Sequence, residues 1–377
     1  MWFLKTDTLF IIIAYCLFSG ALGGLLGHRR IFWAVCPAAA LGVICYIDML
    51  AAAFYAGYIC IALLMTHILH KAEKRKGLLM VLLCTLALVP FILSRFPALF
   101  PITGGSFMIG IAFNMLKVID ALYYVYYGGQ AVRPLIFINY MLFIPVFTAG
   151  PVIRYRDFLK EADAKPKADK LYGTLERIIR GLFKKVVMVK LLIMVFDRLR
   201  ELTPNTAVSL AVIVMSYLIL YFDLSGYSDI ALGLSQIAGV TAAENFKKPW
   251  TAPTLTQFWR SWHASVSDFI REHIYVVLSK YKLNKWHSGI IGLFSMILMS
   301  MWHDFNLLFL IAGVYNGLLL FFENIFALTT VNKRKANKLY YIFRCIVTNL
   351  LFAVNTLVFT LSPDEILPVL SGLIHIF

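Results

Sequence analysis

Charged residues are scarce in this sequence. Only 15% of the 377 residues are Asp, Glu, Lys or Arg, whereas 60% belong to the apolar and aromatic set. Soluble domains are closer to about half apolar and about a quarter charged. The composition therefore excludes a soluble enzyme and a disordered protein, and it indicates an integral membrane protein.

Acidic residues are scarcer than basic ones, at 20 against 35, which gives a net charge of +15. The bases form short clusters between apolar runs, as in a membrane protein that faces anionic cytoplasmic lipid. We therefore expect membrane lipid as a partner, and no nucleic acid.

The sequence also lacks the spacings of a disulfide framework or a metal site. Its six cysteines form no CxxC pair and no Cys/His cluster, so we predict no bound metal. No Gly/Ser/Pro-rich linker and no internal repeat divides the chain, which predicts one continuous membrane domain. The apolar run that follows the first residues is expected to be retained as a signal anchor, with the N-terminus outside.

Long apolar runs are abundant, and a membrane-spanning helix needs about 20 such residues. Nine windows qualify: 8–26, 31–47, 50–69, 78–93, 107–127, 206–222, 288–302, 307–322 and 340–361. Two more, 135–150 and 186–196, are doubtful as full crossings. The sequence thus predicts an all-α, polytopic protein with about nine to eleven membrane segments.

The run 135–150 is expected to be broken. Sixteen residues of helix span about 24 Å, short of the hydrocarbon core of about 30 Å. Pro145 and Pro151 would also free backbone groups that lipid cannot satisfy. Residues 151–190 then carry eleven bases and five acids, a cytoplasmic pattern. We predict a re-entrant segment with Arg133 and Arg154 on the same side.

Residues 171–199 alternate bases with apolar residues. This pattern is typical of an amphipathic helix at the cytoplasmic interface. Anchoring on lipid is the favoured interpretation, and partner binding is the alternative.

Two histidines lie where ionisable residues are functional candidates. His303 stands between two apolar windows, where a neutral imidazole in a dry cavity can act as a general base. His263 lies among aromatics, an arginine and hydroxyl groups, which suit either an interface anchor or hydrogen bonding to a carbonyl or phosphate. His273 is a weaker third candidate.

Asp223 and Asp229 follow the apolar window 206–222, six residues apart. This spacing does not place them on one helical face, and Gly226 would allow a bend between them. We expect them to satisfy buried donors or to line an aqueous entrance.

Five stretches, read in order, resemble the membrane-bound O-acyltransferase family. They are residues 110–128, 149–155 (AGPVIRY), 222–229 (FDLSGYSD), 244–263 (with ENF, PW and FWRSWH) and 301–303 (MWH). Each motif alone is weak, but the ordered set is specific. The FWRSWH and GYSD sequences look more like the bacterial branch that O-acetylates exopolysaccharides, alginate acetylation included, than like the related branch that transfers D-alanine to teichoic acid.

The resemblance implies re-entrant and interfacial helices around a central tunnel, in the plasma (inner) membrane. The family's near-invariant histidine falls on His303 and its second polar position on His263. The implied reaction moves an acyl group, acetyl above all, from a cytoplasmic thioester to a hydroxyl of a cell-surface glycan or a relay protein. D-alanyl transfer and a proton-coupled transporter or flippase are the alternatives.

The resulting site prediction has three groups of residues. His303 and His263 are catalytic. Donor binding is assigned to Arg154, Trp259, Arg260, Trp262, Lys184 and Lys185. Asp223, Tyr227, Asp229 and Asn245 are tunnel-lining or structural polar residues.

No bound cofactor is predicted. Acetyl-CoA is the expected donor substrate, with an acyl carrier protein phosphopantetheine as the alternative. The expected partners are a glycan acceptor and an extracytoplasmic acyltransferase. The chain would comprise N-terminal helices (1–104), an acyltransferase core (105–325) with the amphipathic segment 153–199, and a C-terminal span (326–377).

Overall fold

The computed structural model describes residues 6–24, 29–96, 108–163, 171–279 and 284–374, and every regular element in these ranges is helical. The α-helices are α1 (Thr6–Gly24), α2 (Arg29–Ile47), α3 (Met49–Lys71), α4 (Lys76–Ser94), α5 (Ile111–Gly128), α6 (Pro134–Met141), α7 (Tyr155–Asp163), α8 (Leu171–Leu182), α9 (Val189–Arg200), α10 (Thr206–Ile237), α11 (Leu255–Trp259), α12 (Ala264–Ile270), α13 (Val276–Ser279), α14 (Lys285–His303), α15 (Leu307–Ile325), α16 (Lys338–Thr360) and α17 (Pro363–Gly372). The predicted all-α class is confirmed.

Five of the described helices are long and apolar enough to cross a membrane: α3, α4, α10, α15 and α16. Two shorter apolar helical stretches, Phe10–Ala21 and Trp33–Ile47, fall below that length. The protein is thus a helical membrane protein, but the predicted count of nine to eleven segments is not confirmed.

The chain divides into two compact units. The first comprises Met1–Ile178 with Ile230–Ala243, and the second comprises Ile179–Asp229 with Glu244–Phe377. The division at 104/105 predicted from sequence falls outside the described residues, and the one at 325/326 stays a prediction.

In the first unit, the run 135–150 is broken as expected. Helix α6 has eight residues, about 12 Å of helix, and the chain then makes a short 3-10 turn at Ile144–Val146. The backbone N–H of Arg133 donates to the Tyr155 hydroxyl at 2.8 Å, so the two ends of the segment meet. Phe137 and Tyr140 are fully buried between them. The segment is therefore broken and folds back on itself, and its re-entrant path through a membrane stays a prediction.

A buried ion pair fixes the end of this loop. The carboxylate of Asp120 on α5 accepts from the Tyr155 backbone N–H at 2.7 Å and lies 3.7 Å from the Arg154 guanidinium. Both side chains are buried, and removing one partner of such a pair leaves the other charge buried without an opposite charge, which is strongly destabilising. The first role of Arg154 in this structure is therefore to hold the loop; its donor role stays a prediction.

The amphipathic stretch 171–199 is helical throughout. Helices α8 and α9 are joined by a π-helical segment, Phe183–Met188. The predicted helix is confirmed, while its position at a lipid interface stays a prediction. Lys165, Lys167 and Lys170, counted in the basic cluster, lie outside the described residues.

No break in the helix occurs at Gly226. Asp223 and Asp229 lie inside α10, which continues without a break to Ile237. Gly226 instead allows close packing, since a Cβ there would lie 2.9 Å from the Gly181 carbonyl oxygen. Glycine is tolerated inside α10 because the absence of a side chain at Gly226 lets the Gly181 backbone approach closely.

Two lysines on the facing π-helical segment pair with these acids. The Lys184 ammonium lies 2.7 Å from the Asp229 carboxylate, and Lys185 pairs with Asp223. Lys185 is buried, so its charge needs such a partner. The two acids thus pair with these lysines, which agrees with the expectation that they satisfy buried donors. The alternative expectation was that they line an aqueous entrance.

Candidate active site

A cavity of about 40 Å³ inside the second unit is lined by both predicted catalytic histidines, His263 and His303. Its walls come from α10, α11, α14, α15, α16 and the turn that precedes α12. Two residues 40 positions apart in sequence thus meet at one chamber. The Trp302 ring has contacts with both, at 6.5 Å from His263 and 5.0 Å from His303 between centroids.

His303 is placed by the end of its helix. It is the last residue of α14, and Asp304 adopts an extended conformation that terminates the helix. The Asp304 carboxylate accepts from the Phe305 backbone and the Asn306 side chain, and Asn306 caps α15 through the Phe309 N–H at 3.0 Å. The Asp304 carboxylate therefore stabilises the turn between α14 and α15.

Small residues bring α14 and α15 together under His303. A Cβ at Gly313 would lie 2.8 Å from the Ile297 Cα, and one at Gly317 would lie 2.9 Å from the Leu293 Cα. The four-residue spacing of these glycines allows such close helix approach in membranes. The position of His303 depends on this backbone contact.

His263 sits in a left-handed conformation, with φ of 47°. Hydrogen bonds on both sides of it hold this backbone: Lys247 N–H donates to Ser261 O at 2.8 Å, and Ala264 N–H donates to Asn245 O at 2.9 Å. A non-glycine residue in this region costs of order 1–3 kcal/mol. The strain is consistent with a side chain held for its position.

Asn245 is the buried organiser of this turn. Its side-chain oxygen accepts from the Ser265 N–H at 3.1 Å and the Ser265 hydroxyl at 2.8 Å, and its amide donates to the Ser228 hydroxyl at 3.1 Å. Asn245 therefore acts on His263 through the backbone, without lining the cavity.

Glu323, which the sequence did not single out, holds the segment that leads to His263. From α15 its carboxylate accepts from the Leu255 and Thr256 backbone N–H groups at 2.7 and 2.9 Å, at the start of α11. Negative charge at free helix N–H groups is favourable. Glu323 directly follows the apolar window 307–322. An acid beside such a window is a candidate functional residue, and this was the sequence signal that could have identified it.

Four buried polar atoms of cavity-lining residues have no hydrogen-bond partner within the described part of the chain: Trp259 Nε1, His263 Nδ1, Asn316 Oδ1 and Asn355 Oδ1. Unpaired buried polar groups are rare and call for an explanation. The residues that carry these atoms all line one chamber, and an apolar chamber with a few polar residues is typical of a ligand site. Sequence reasoning missed Asn316 and Asn355, although polar residues in apolar windows are candidates by default.

The electrostatics of the chamber favour uncharged groups. His263 lies outside the five candidate spans, and burial lowers the pKa of its imidazole from 6.5 to about 4, so the ring is neutral at pH 7. No described residue that lines the cavity has a carboxylate. The described residues also contain no group of three or more metal-ligating side chains.

The other predicted site residues fall in two sets. Trp259 and Trp262 line the chamber, and Trp262 stacks on Phe258 at 5.5 Å. The residues that do not line it are Arg260, which is exposed, Lys184, Lys185, Asp223, Tyr227, Asp229 and Asn245. His273 is accounted for by its contact with the Phe269 carbonyl at 2.9 Å and stacking on the Phe269 ring.

A helical membrane protein with a histidine-lined chamber is thus defined by its fold and site. Comparison with known families gives the particular one: the model of the membrane-bound O-acyltransferase (MBOAT) family matches residues 47–362, most of the chain. The chain belongs to this family.

Curated relatives agree. The chain is 32% identical over 266 residues to a Pseudomonas putida protein named Probable alginate O-acetylase AlgI, covering 70% of this chain and 53% of that protein. A Pseudomonas syringae protein of the same name is 33% identical over 65% of the chain and 46% of its own length. A Teichoic acid D-alanyltransferase of Bacillus subtilis is 30% identical over 50% and 51%. The chain spans about half the length of the curated relatives it matches.

Proposed function

We propose that the protein is a membrane O-acyltransferase that moves an acetyl group from a cytoplasmic thioester, acetyl-CoA, to a hydroxyl group of a cell-surface polysaccharide or of a relay protein. The observation that carries the proposal is that His303 and His263 line one cavity. Family membership and the names of the relatives support acyl transfer.

The proposed step is a direct displacement. The acceptor hydroxyl gives its proton to His303 as its oxygen bonds to the thioester carbon, and the carbon–sulfur bond breaks. The proton passes from His303 to the departing sulfur, so that an ester and a thiol result.

The absence of a carboxylate from the described cavity lining favours acetyl over D-alanyl. D-alanyl is larger and carries an ammonium group, which is costly to bury without a carboxylate. An acyl carrier protein as donor, and transport in place of transfer, are the alternatives.

The remaining donor-binding assignments belong to this proposal. Trp259 and Trp262 are favoured by their place in the chamber wall. Arg154, Arg260, Lys184 and Lys185 would attract an acidic donor to the cytoplasmic face. The plasma membrane as location and an extracytoplasmic acyltransferase as partner follow from a glycan acceptor.

The first prediction is that His303→Ala removes acyl transfer but not the fold. Loss of a general base lowers the rate by about 10²–10⁴-fold. The measurement is transfer of labelled acetyl from acetyl-CoA to glycan hydroxyls by the protein in lipid vesicles, with a D-alanyl carrier thioester as a second donor.

His287→Ala is the matched control, since His287 is exposed near the other end of the same helix. Full activity is expected for it. Normal acetyl transfer by His303→Ala would contradict the proposed chemistry, and a wild-type protein that uses the D-alanyl donor in preference would contradict the proposed acyl group.

A further inference from the structure

A half-buried tyrosine on α10, Tyr217, packs behind the wall of the chamber without lining it. Its ring stacks on the indole of Trp262, with 5.6 Å between ring centroids and 25° between ring planes. The Phe258 ring also stacks on Trp262, at 5.5 Å and 18°. Trp262 is buried and lines the chamber. One wall of the chamber is therefore held by two nearly parallel rings from α10 and α11.

A hydrogen bond to α16 fixes the Tyr217 ring in this place. The Tyr217 hydroxyl donates to the Asn349 side-chain oxygen at 2.9 Å. The Asn349 amide nitrogen donates to the Cys345 carbonyl oxygen at 2.7 Å and to the Trp250 carbonyl oxygen at 3.3 Å. Because a carbonyl only accepts, the nitrogen must face these two groups and the oxygen must face Tyr217. Asn349 is thus oriented as an acceptor for the tyrosine hydroxyl.

Trp262 directly precedes His263, whose backbone is strained. The φ of 47° at His263 persists only where the surrounding structure holds it. Trp262 also contacts the Phe352 ring at 4.8 Å, so rings from α10, α11 and α16 all pack against its indole. A shift of this indole would displace the His263 imidazole, and a misplacement of about 1 Å can cost on the order of 10²-fold in rate.

We propose that Tyr217 and Asn349 are positioning residues for acyl transfer. Their hydrogen bond holds the indole of Trp262, and through Trp262 it sets the position of His263 in the chamber. This inference rests on the proposed function and adds two residues that touch no substrate. Because the Tyr217 hydroxyl lies outside the chamber wall, its loss should lower kcat and leave the KM for acetyl-CoA unchanged.

The test removes first the hydroxyl and then the ring. Tyr217→Phe keeps the stacking ring, and it should lower kcat for acetyl transfer from acetyl-CoA in lipid vesicles roughly 3- to 10-fold, the effect of one neutral hydrogen bond. Tyr217→Leu removes the ring as well and should lower kcat further. Adding Tyr217→Phe to Asn349→Leu should cause no additional loss, because the two changes remove the same bond.

Tyr315→Phe is the matched control. Tyr315, on α15, also donates to α16, with its hydroxyl 2.9 Å from the Leu351 carbonyl oxygen, and it does not line the chamber. Both phenylalanine variants lose one hydrogen bond to α16, so both should lower the melting temperature in detergent by a similar amount. Only Tyr217→Phe should lower kcat.

A comparison in the His263→Gln background separates positioning from a general loss of stability. If Tyr217 acts through His263, the fall in kcat that Tyr217→Phe causes should shrink to less than about 2-fold once His263 is replaced. Equal falls in kcat for Tyr217→Phe and Tyr315→Phe, or the same fall with and without His263→Gln, would overturn the inference. Absence of acetyl transfer by the wild-type protein would instead refute the proposed function itself, so the two failures are distinguishable.

Discussion

At the scale of the residue, His263 and His303 share a chamber but not a backbone setting. His303 ends a regular helix, whereas His263 has a φ of 47° and an unpartnered Nδ1. We predict that His263 orients a substrate while His303 takes the proton. His263→Gln, which keeps a hydrogen-bonding side chain, should then retain more acetyl transfer than His303→Gln.

Initial rates for the two glutamine variants, at saturating acetyl-CoA, check this division of roles. His263→Ala serves as the control, because it removes both the imidazole ring and its capacity to form a hydrogen bond with a substrate. Equal and complete loss in both glutamine variants would mean that His263 is needed as an imidazole, and the assigned roles would be wrong.

At the scale of the element, the hairpin of α14 and α15 depends on missing side chains. A Cβ at Gly317 would lie 2.9 Å from both the Cα and the carbonyl oxygen of Leu293, and backbone atoms cannot move aside as a side-chain tip can. We predict that Gly317→Ala lowers the free energy of unfolding by roughly 1–3 kcal/mol and lowers acetyl transfer by displacing His303.

Thermal unfolding in detergent and the transfer rate measure the two effects. Gly57→Ala, inside α3, is the matched control, because a Cβ there meets no atom within 4 Å. Alanine in an open helix position stabilises by about 0.4–1 kcal/mol. If Gly317→Ala and Gly57→Ala have the same effect on thermal unfolding and on the transfer rate, the close backbone contact does not stabilise the packing of α14 on α15.

A second element-scale feature is the N-terminal cap of α17. The Glu365 carboxylate accepts from the Ser362 N–H at 2.9 Å and from its hydroxyl, and pairs with Arg200. These bonds lower the pKa of Glu365 from 4.5 to about 2. Because the folded pKa is the lower one, this stabilisation is complete above pH 4.5 and is lost as the pH falls toward 2.

We therefore predict that Glu365→Gln lowers the melting temperature at pH 7, and that the difference from wild type narrows below pH 4.5. Asp364→Asn is the control, since it removes a neighbouring charge from the same helix turn but leaves the Ser362 and Arg200 bonds. A difference that stays constant between pH 7 and pH 3 would show that the ionised carboxylate is not the stabilising form.

At the scale of the whole molecule, local sequence signals were sufficient wherever the cause is local. Apolar runs predicted the helical class, and Pro145 with a short run predicted the broken segment. The two histidines selected from polar positions near apolar windows, His263 and His303, line one cavity, while their catalytic roles stay a prediction. What failed was long-range. The close approach of Gly226 to the Gly181 backbone could not be predicted from the residues around Gly226, and nothing near Glu323 in sequence reveals that it caps α11.

The last prediction concerns the path of the chain through the membrane. The Arg133 N–H contacts the Tyr155 hydroxyl, and α6 is too short to cross a hydrocarbon core of about 30 Å. We predict that the two ends of this loop lie on one side of the membrane. In a background with all six cysteines replaced, Ala131→Cys and Lys160→Cys, both exposed, should react with an impermeant thiol reagent from the same side.

Met49→Cys is the reference for the opposite side. Met49 is exposed at the start of α3, and the turn it follows has Asp48 and no base, which predicts an outer location. Reagent added outside sealed cells should reach position 49 alone, and reagent added outside inverted vesicles, whose cytoplasmic face is exposed, should reach 131 and 160. Labelling of 131 and 160 from opposite sides would require the chain to cross the membrane between them, and the re-entrant path would then be wrong. The cytoplasmic position of the bases from Arg154 to Lys190, which the proposed donor entrance needs, would be wrong as well.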